Sequence, residues 1–171
     1  MKFSEMTYTR PDPAASKQRL SALTAELKAA KSYEEARKVF LSQQELMSHI
    51  STAATLASIR HSIDTRDKFY DGEEKFWNNF NPELEEYNQA WTAAMLESPF
   101  RADFEKEYGD LMFVNAEIAL KTFSPAIIPE LQQENDLTQE YEKLLASAQI
   151  PFEGKVCLLY TSPSPRDGLL S

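Results

Sequence analysis

The chain of 171 residues has a formal net charge of −9 at pH 7, which argues against a nucleic-acid backbone or an anionic membrane as its partner. Hydrophobic residues make up 42% and charged residues 26%, as in soluble globular proteins, and no apolar run is long enough to predict a transmembrane helix. With only 4 Gly and many strong helix formers, the composition favours an all-α fold. We also expect a cytoplasmic protein.

The amino-terminal end predicts a short lead-in followed by a capped helix. Met1–Arg10 has no apolar segment of the kind that a signal peptide needs, and we expect it to be extended. Asp12 suits a helix N-cap, and Pro13 suits the first helical position, where its missing N–H would have no partner in any case. The predicted helix continues to about Ala30, with an inward face of Leu20, Leu23 and Leu27.

The stretch Glu45–Phe80 is predicted to organise the fold. A capping box of Ser32 and Glu35 starts the helix that enters it, and we expect this helix to extend towards Ile63. Beyond Asp64, charged and aromatic residues alternate, which predicts a helix that covers a core rather than fills one. Before Asp64, two apolar stripes predict a central helix packed on several sides: Leu46, Ile50, Ala53 and Ala57, and beside them Leu56, Ile59 and Ile63.

Further helix starts are predicted where a capping residue is followed directly by proline. The helix that begins at Ser98-Pro99 should end at Gly109, which suits a C-terminal cap. The three pairs are Asn81-Pro82, Ser98-Pro99 and Ser124-Pro125.

The remaining segments complete a predicted antiparallel array of six or seven helices with a short trailing β-hairpin strand. Leu111–Phe123 is strongly apolar, and Asn135 begins a predicted break before a last helix that ends near Ala146. Gln149–Val156 has the pattern of a β-hairpin, of which we expect the second strand to be lost to a foreign tail.

That tail begins at Cys157, the only cysteine, so no disulfide is expected. Cys157–Asp167, with the sequence CLLYTSPSPRD, resembles the in-frame translation of a transposase-based sequencing adapter, and Gly168–Ser171 would be adjoining index sequence. We therefore expect an incomplete helical domain at 1–156 and a non-native tail at 157–171 that packs poorly. A natural Pro/Ser-rich tail is the alternative.

Two histidines, His49 and His61, are the candidate metal ligands. A zinc peptidase helix needs two His four residues apart, with a Glu beside the first. His49 and His61 are twelve residues apart, or about 18 Å along a helix, so one metal ion cannot bind both. We expect both at partly buried polar positions, and we assign no catalytic, cofactor-binding or metal-binding residue to this chain.

Clustered carboxylates raise the alternative of a di-iron bundle. Such a site needs Glu three residues before an inward-facing His, but Leu46 and Ser58 occupy those positions. The carboxylates are therefore predicted to lie on solvated helix faces, so that Glu73→Ala should change the free energy of unfolding by less than about 0.5 kcal/mol. The set comprises Glu34, Glu35, Glu73, Glu74, Glu83, Glu85 and Glu86.

The densest charge cluster lies around Asp64. The i,i+4 spacing of Arg60, Asp64 and Lys68 predicts two ion pairs on a helix surface. The alternative is a group of substrate-channel charges, including Arg66 and Asp67, that recognise peptide termini.

Five segments carry a family resemblance when they are taken in order: Met1–Asp12, Ala54–Asp71 (ATLASIRHSIDTRDKFYD), Leu96–Arg101, Leu120–Pro125 and Leu144–Gly154. Together they resemble the amino-terminal region of oligoendopeptidase F, a family of thimet-oligopeptidase-like zinc metallopeptidases. The likeness extends from Met1 to about Val156 without large gaps. The catalytic motif of the family, H-E-x-x-H, is absent from this chain.

The resemblance implies that the parent protein is a zinc metalloendopeptidase that hydrolyses short peptides. Its zinc would be held by the two His of H-E-x-x-H and a later Glu, with the motif Glu activating water. This region would form part of one wall of a deep substrate channel and would be inactive alone. The alternative is a self-standing acidic helical protein-interaction module without catalysis, and the reading frame beyond Val156 distinguishes the two.

Overall fold

The computed structural model describes residues 5–122, 124–152 and 154–159. In that part of the chain lie six α-helices, one short 3-10 turn and a two-stranded antiparallel sheet, so the predicted all-α class with a trailing hairpin is confirmed. The elements are α1 Pro13–Ala29, α2 Tyr33–Ile63, α3 Lys68–Leu96, α4 Arg101–Tyr108, α5 Leu111–Thr122, the 3-10 turn Pro125–Ile127, α6 Ile128–Ser147, β1 Gln149–Phe152 and β2 Lys155–Leu158.

The first two helix starts form as their capping residues predict. The Asp12 carboxylate accepts a hydrogen bond of 2.7 Å from the backbone N–H of Ala15. The Ser32 hydroxyl accepts one of 3.2 Å from the N–H of Glu35, whose own carboxylate accepts from the N–H of Lys31 at 2.9 Å. Each cap satisfies N–H groups that the first helical turn leaves without partners.

Two of the other predicted boundaries are wrong, because α3 and α6 continue through them. Pro82 lies inside α3 rather than at a helix start, and Asn135 lies inside α6 rather than at a break. The side chain of Asn135 donates to the carbonyl of Asn78, which Pro82 leaves without its helical donor. The helix that begins after Ser98 does end at Gly109, where the backbone φ is 88°.

The hairpin has both of its strands, which corrects the expectation that the second is lost. β1 and β2 pair antiparallel, with Ile150 opposite Cys157 and Gln149 opposite Leu158. Leu158 and Leu159 remain 45% and 44% exposed, so this part of the tail packs little on the helices. The prediction for Tyr160 and the residues after it lies outside the described residues.

The core is organised around α3, not around α2 as the sequence predicts. α3 contacts α1, α2, α5 and α6, and the side chains it buries include two tryptophans, Trp77 and Trp91. α2 buries Ala57 completely, but its second predicted stripe fails at the end of the helix, where Ile63 is 72% exposed. Trp77 is therefore part of the core and does not merely cover it, whereas Phe69, near the start of α3, is 56% exposed.

The buried hydrophobic residues form two clusters. One joins the end of α1, the start of α2 and the end of α3 to α4 and α5: Leu23, Leu27, Ala36, Phe40, Trp91, Ala94, Met95, Phe104 and Phe113. The other joins the middle parts of the three long helices: Leu20, Ile50, Ala53, Ala57, Trp77, Phe80 and Leu84. In the described part of the chain, no helix is both long and apolar enough to cross a membrane.

Candidate functional site

The two histidines have different environments on α2. His49 is exposed, whereas His61 is 1% exposed at the carboxyl end of the helix, so the expectation of a partly buried position is wrong for both. The Nε2 atom of His61 is buried and has no hydrogen-bond partner. It lies 3.7 Å from Oδ1 of Asp71, on the first turn of α3.

Asp71 is the centre of a polar cluster that joins α2, α3 and α6. Its Oδ1 accepts a hydrogen bond of 3.3 Å from Nε2 of Gln139 and pairs with Nζ of Lys143, both on α6. Its Oδ2 lies 3.3 Å from Nζ of Lys75. The Lys143 ammonium, despite partial burial of the carboxylate, lowers the pKa of Asp71 below its ordinary range. The cluster therefore holds an ionised carboxylate between two cations.

Glu74 is a second carboxylate beside this cluster, and its pKa is shifted in the opposite direction from that of Asp71. Burial raises the pKa of Glu74, and the neighbouring His61 opposes that shift only in part. One of its oxygens, Oε2, is buried without a hydrogen-bond partner, and Oε1 lies 3.5 Å from the hydroxyl of Ser58. The prediction of a solvated surface carboxylate is therefore wrong for Glu74.

The same prediction is wrong for Glu73, which is 4% exposed. Its Oε2 accepts a hydrogen bond of 2.8 Å from Nε of Arg10, and its carboxylate also accepts from Nη2 of Arg10 and from the Tyr8 hydroxyl. The indole N–H of Trp77 donates to that hydroxyl at 3.2 Å. These contacts fasten the lead-in segment to α3. The sequence signal that could have found them is the pairing of an early Arg and Tyr with a Glu next to the aromatic run.

The predicted ion pairs around Asp64 are replaced by other contacts because α2 ends at Ile63 and α3 begins at Lys68. Asp64 has an extended backbone and pairs with Nε of Arg66 at 3.0 Å, which lowers the pKa of Asp64. Arg60 donates from Nη1 to the Tyr70 hydroxyl at 2.6 Å and from Nη2 to a carbonyl of the lead-in segment.

These clusters join helices to one another and to the lead-in segment. Within residues 5–122, 124–152 and 154–159, no group of three or more His, Cys, Asp or Glu side chains is placed to hold a metal ion. Asp71 is already paired with two lysines. The arrangement connects α3 to α6 through partly exposed ion pairs and a hydrogen bond.

The fold and its clusters define an all-α domain in which polar contacts join neighbouring helices. Residues 3–123 match the Peptidase M3 N-terminal domain family. This chain belongs to that family.

Solved structures agree with this assignment. The chain is similar to an X-ray structure of an oligoendopeptidase F, at 40% identity and a TM-score of 0.89, over 93% of this chain and 28% of that one. It is similar to PZ peptidase A with an inhibitor, at 39% identity and a TM-score of 0.89, over 92% and 28% of the two chains. An oligoendopeptidase F from Bacillus anthracis strain Ames matches at 37% identity and a TM-score of 0.89, over 93% and 29%. No curated protein matches significantly.

The chain spans less than a third of the length of the first relatives, 28% in two cases and 29% in the third. The resemblance to an oligoendopeptidase amino-terminal region is thus confirmed at the level of an M3 peptidase amino-terminal fragment.

Proposed function

We propose that this chain is the amino-terminal part of a cytoplasmic zinc metallo-oligoendopeptidase that hydrolyses short peptides, and that it contributes helices to the wall of the substrate channel. The observation that carries the proposal is the family match over residues 3–123. The likeness to oligoendopeptidase F structures, over 93% of this chain, supports it.

The zinc of the complete enzyme would be bound by residues that this chain does not contain. H-E-x-x-H is absent from the sequence. The described residues do not fit the ion either, because none of their His, Cys, Asp and Glu side chains form a suitable group of three. The chain alone should therefore be inactive.

A wall of a peptide channel must keep its shape, and the polar contacts of α3 suit that role. Glu73 fastens the lead-in segment to α3 at one face. Asp71 fastens α6 at another, through Gln139 and Lys143. Hydrogen-bonded polar networks of this kind rigidify the structure that they join.

The test compares the chain with the full-length parent, cloned by extending the reading frame in its source genome. We expect the parent to hold one zinc ion by metal analysis, to hydrolyse quenched-fluorescence peptides and to lose that activity with a chelator. The chain of 171 residues, assayed in parallel, should neither hold zinc nor hydrolyse the peptides. One tightly bound zinc in the chain alone would contradict the proposal. A natural stop codon near Val156 would contradict it too, and would favour the interaction module.

A further inference from the structure

A groove lies between α2 and α5, with α3 as its floor. It encloses about 370 Å³ and opens to solvent along one side. Phe40 and Met47 of α2 form one wall, Ala116 and Ala119 of α5 form the other, and Trp91 lies at the floor. The described residues that line it carry no charge, although 26% of the chain is charged. An occupant of this groove must therefore be uncharged as well.

The wall formed by α5 explains why the groove stays open. Among the described residues of α5, Phe113 is the one that is fully buried, and it joins the first hydrophobic cluster. The α5 residues that face α2 beyond Phe113 include Ala116 and Ala119, whose small side chains cannot reach across. Methionines on all three helices line the gap, and their flexible thioethers adapt to the shape of an inserted side chain.

A second face of α5, beside the groove, is also apolar and is exposed in the part of the chain that the structure describes. Leu111, Val114 and Ile118 are 66%, 47% and 53% exposed, and their spacing of three and four places them in one stripe. A helix that is apolar around most of its circumference is normally buried on several sides. α5 therefore has an outer stripe and an adjoining groove that both require an apolar partner.

We propose that α5 is the docking site for an uncharged, apolar helix from the part of the parent polypeptide outside this chain, and that apolar side chains of this helix enter the groove between α2 and α5. This inference rests on the proposed function, because it requires a longer parent. The solved relatives are more than three times as long as this chain, which covers 28% of them, so they contain ample further chain to supply the helix. A helix in a groove of two others is a common recognition mode, and the carboxamides of Gln44 and Asn115 at the rim can bond its uncharged polar groups.

The main test places a photo-crosslinking amino acid at Asn115 of the full-length parent and maps its products by mass spectrometry. We expect crosslinks to residues that lie beyond this chain. The same label at Ala25, on an exposed face of α1, is the matched control and should not give those products. Peptidase activity and the circular dichroism spectrum establish that each labelled parent is folded.

A charge in the groove provides the second arm. Ala116→Arg should lower the Asn115 crosslink in the parent by at least about tenfold, because an unpaired charge in an apolar contact is costly. Ala25→Arg should leave the crosslink unchanged, and the circular dichroism spectrum of each parent variant establishes that it is folded. Crosslinks confined to α2 and α3, or to a second copy, would overturn the inference, as would crosslinks to an added labelled peptide substrate or no product at all. These results would leave the proposed function intact, whereas an inactive parent without zinc would overturn that function instead.

Discussion

The side-chain amide nitrogen of Asn135 lies 3.2 Å from the backbone carbonyl oxygen of Asn78, the carbonyl that Pro82 leaves without a helical partner. In an α-helix this oxygen would accept from the N–H four residues later, and proline has none. Asn78 returns a weaker contact, since its own side-chain amide lies 3.5 Å from the Asn135 carbonyl. On the next residue, the Asn79 carbonyl accepts from Gln132 at 3.0 Å. α6 therefore completes the hydrogen bonding of α3 at its proline.

The first prediction concerns Asn135→Ala. It should lower the free energy of unfolding by about 1 kcal/mol, because the Asn78 carbonyl then loses its donor, although alanine is the better helix former. Urea melts followed by circular dichroism measure the change. Gln133→Ala, at an exposed position on the same helix, is the matched control and should change stability by less than about 0.5 kcal/mol.

A double-mutant cycle tests the stated cause. Pro82→Ala supplies the missing N–H, so Asn135→Ala should cost less in that background than in the wild type. We expect a coupling free energy of at least about 0.5 kcal/mol between the two positions. Additive effects would mean that Asn135 does not act through the carbonyl freed by Pro82.

The contact between Asn135 and Asn78 also explains which features could be predicted from the sequence. Caps such as Asp12 and Ser32 act within one turn, so local pattern suffices to place the helices they start. Pro82 has the same local signal, but its outcome depends on α6, which is about fifty residues further along the chain. Tertiary contacts of this kind override local propensity, and they are not visible in a single sequence.

The burial of Glu73 also depends on contacts between distant parts of the chain. Its neighbours in the sequence are charged and aromatic, and the local pattern predicts an exposed face. Its partners, Tyr8 and Arg10, come from the lead-in segment before α1. For the catalytic machinery the limit is different, because H-E-x-x-H is absent from this sequence and a zinc site in a longer parent is a proposal that rests on the resemblance.

The second prediction corrects the expectation for Glu73→Ala. The substitution should lower the free energy of unfolding by about 1–3 kcal/mol, because it leaves the partly buried hydroxyl of Tyr8 without its acceptor and separates Arg10 from its partner. Glu86→Ala, at an exposed position on the same helix, is the control and should stay within about 0.5 kcal/mol. Equal effects in urea melts would show that the network contributes nothing to stability.

The third prediction concerns the pH dependence of the same network. The bond from Arg10 lowers the pKa of Glu73 below its ordinary value of 4.5. A carboxyl with a lower pKa in the folded state binds fewer protons there than when unfolded, so its contribution is present above pH 4.5 and is lost as the pH falls through the folded-state value. The stability difference between wild type and Glu73→Gln should therefore be largest near neutral pH and should shrink below pH 4.5.

Urea melts at a series of pH values measure this difference, and the contributions of other carboxylates cancel in it. Repeating the comparison in an Arg10→Met background identifies the source, because Arg10 is the main cause of the lowered pKa. The pH-dependent part should then become smaller. A difference that stays constant from neutral pH to acid would show that Glu73 titrates alike in the folded and unfolded chains.

The last prediction concerns Ala57, which is completely buried on α2 and belongs to the second hydrophobic cluster with Leu20, Trp77 and Phe80. Side chains from α1 and α3 already surround it, and an interior at native packing density has no room for three further carbons. Ala57→Leu should therefore lower the free energy of unfolding by about 1–3 kcal/mol, the usual cost of overpacking. Ala25→Leu, at an exposed position on α1, makes the same chemical change without the overlap and should stay within about 0.5 kcal/mol. Urea melts of both variants measure the change in the free energy of unfolding. A decrease for Ala57→Leu no larger than that for Ala25→Leu would mean that α2 does not approach its neighbours as closely as the structure places it.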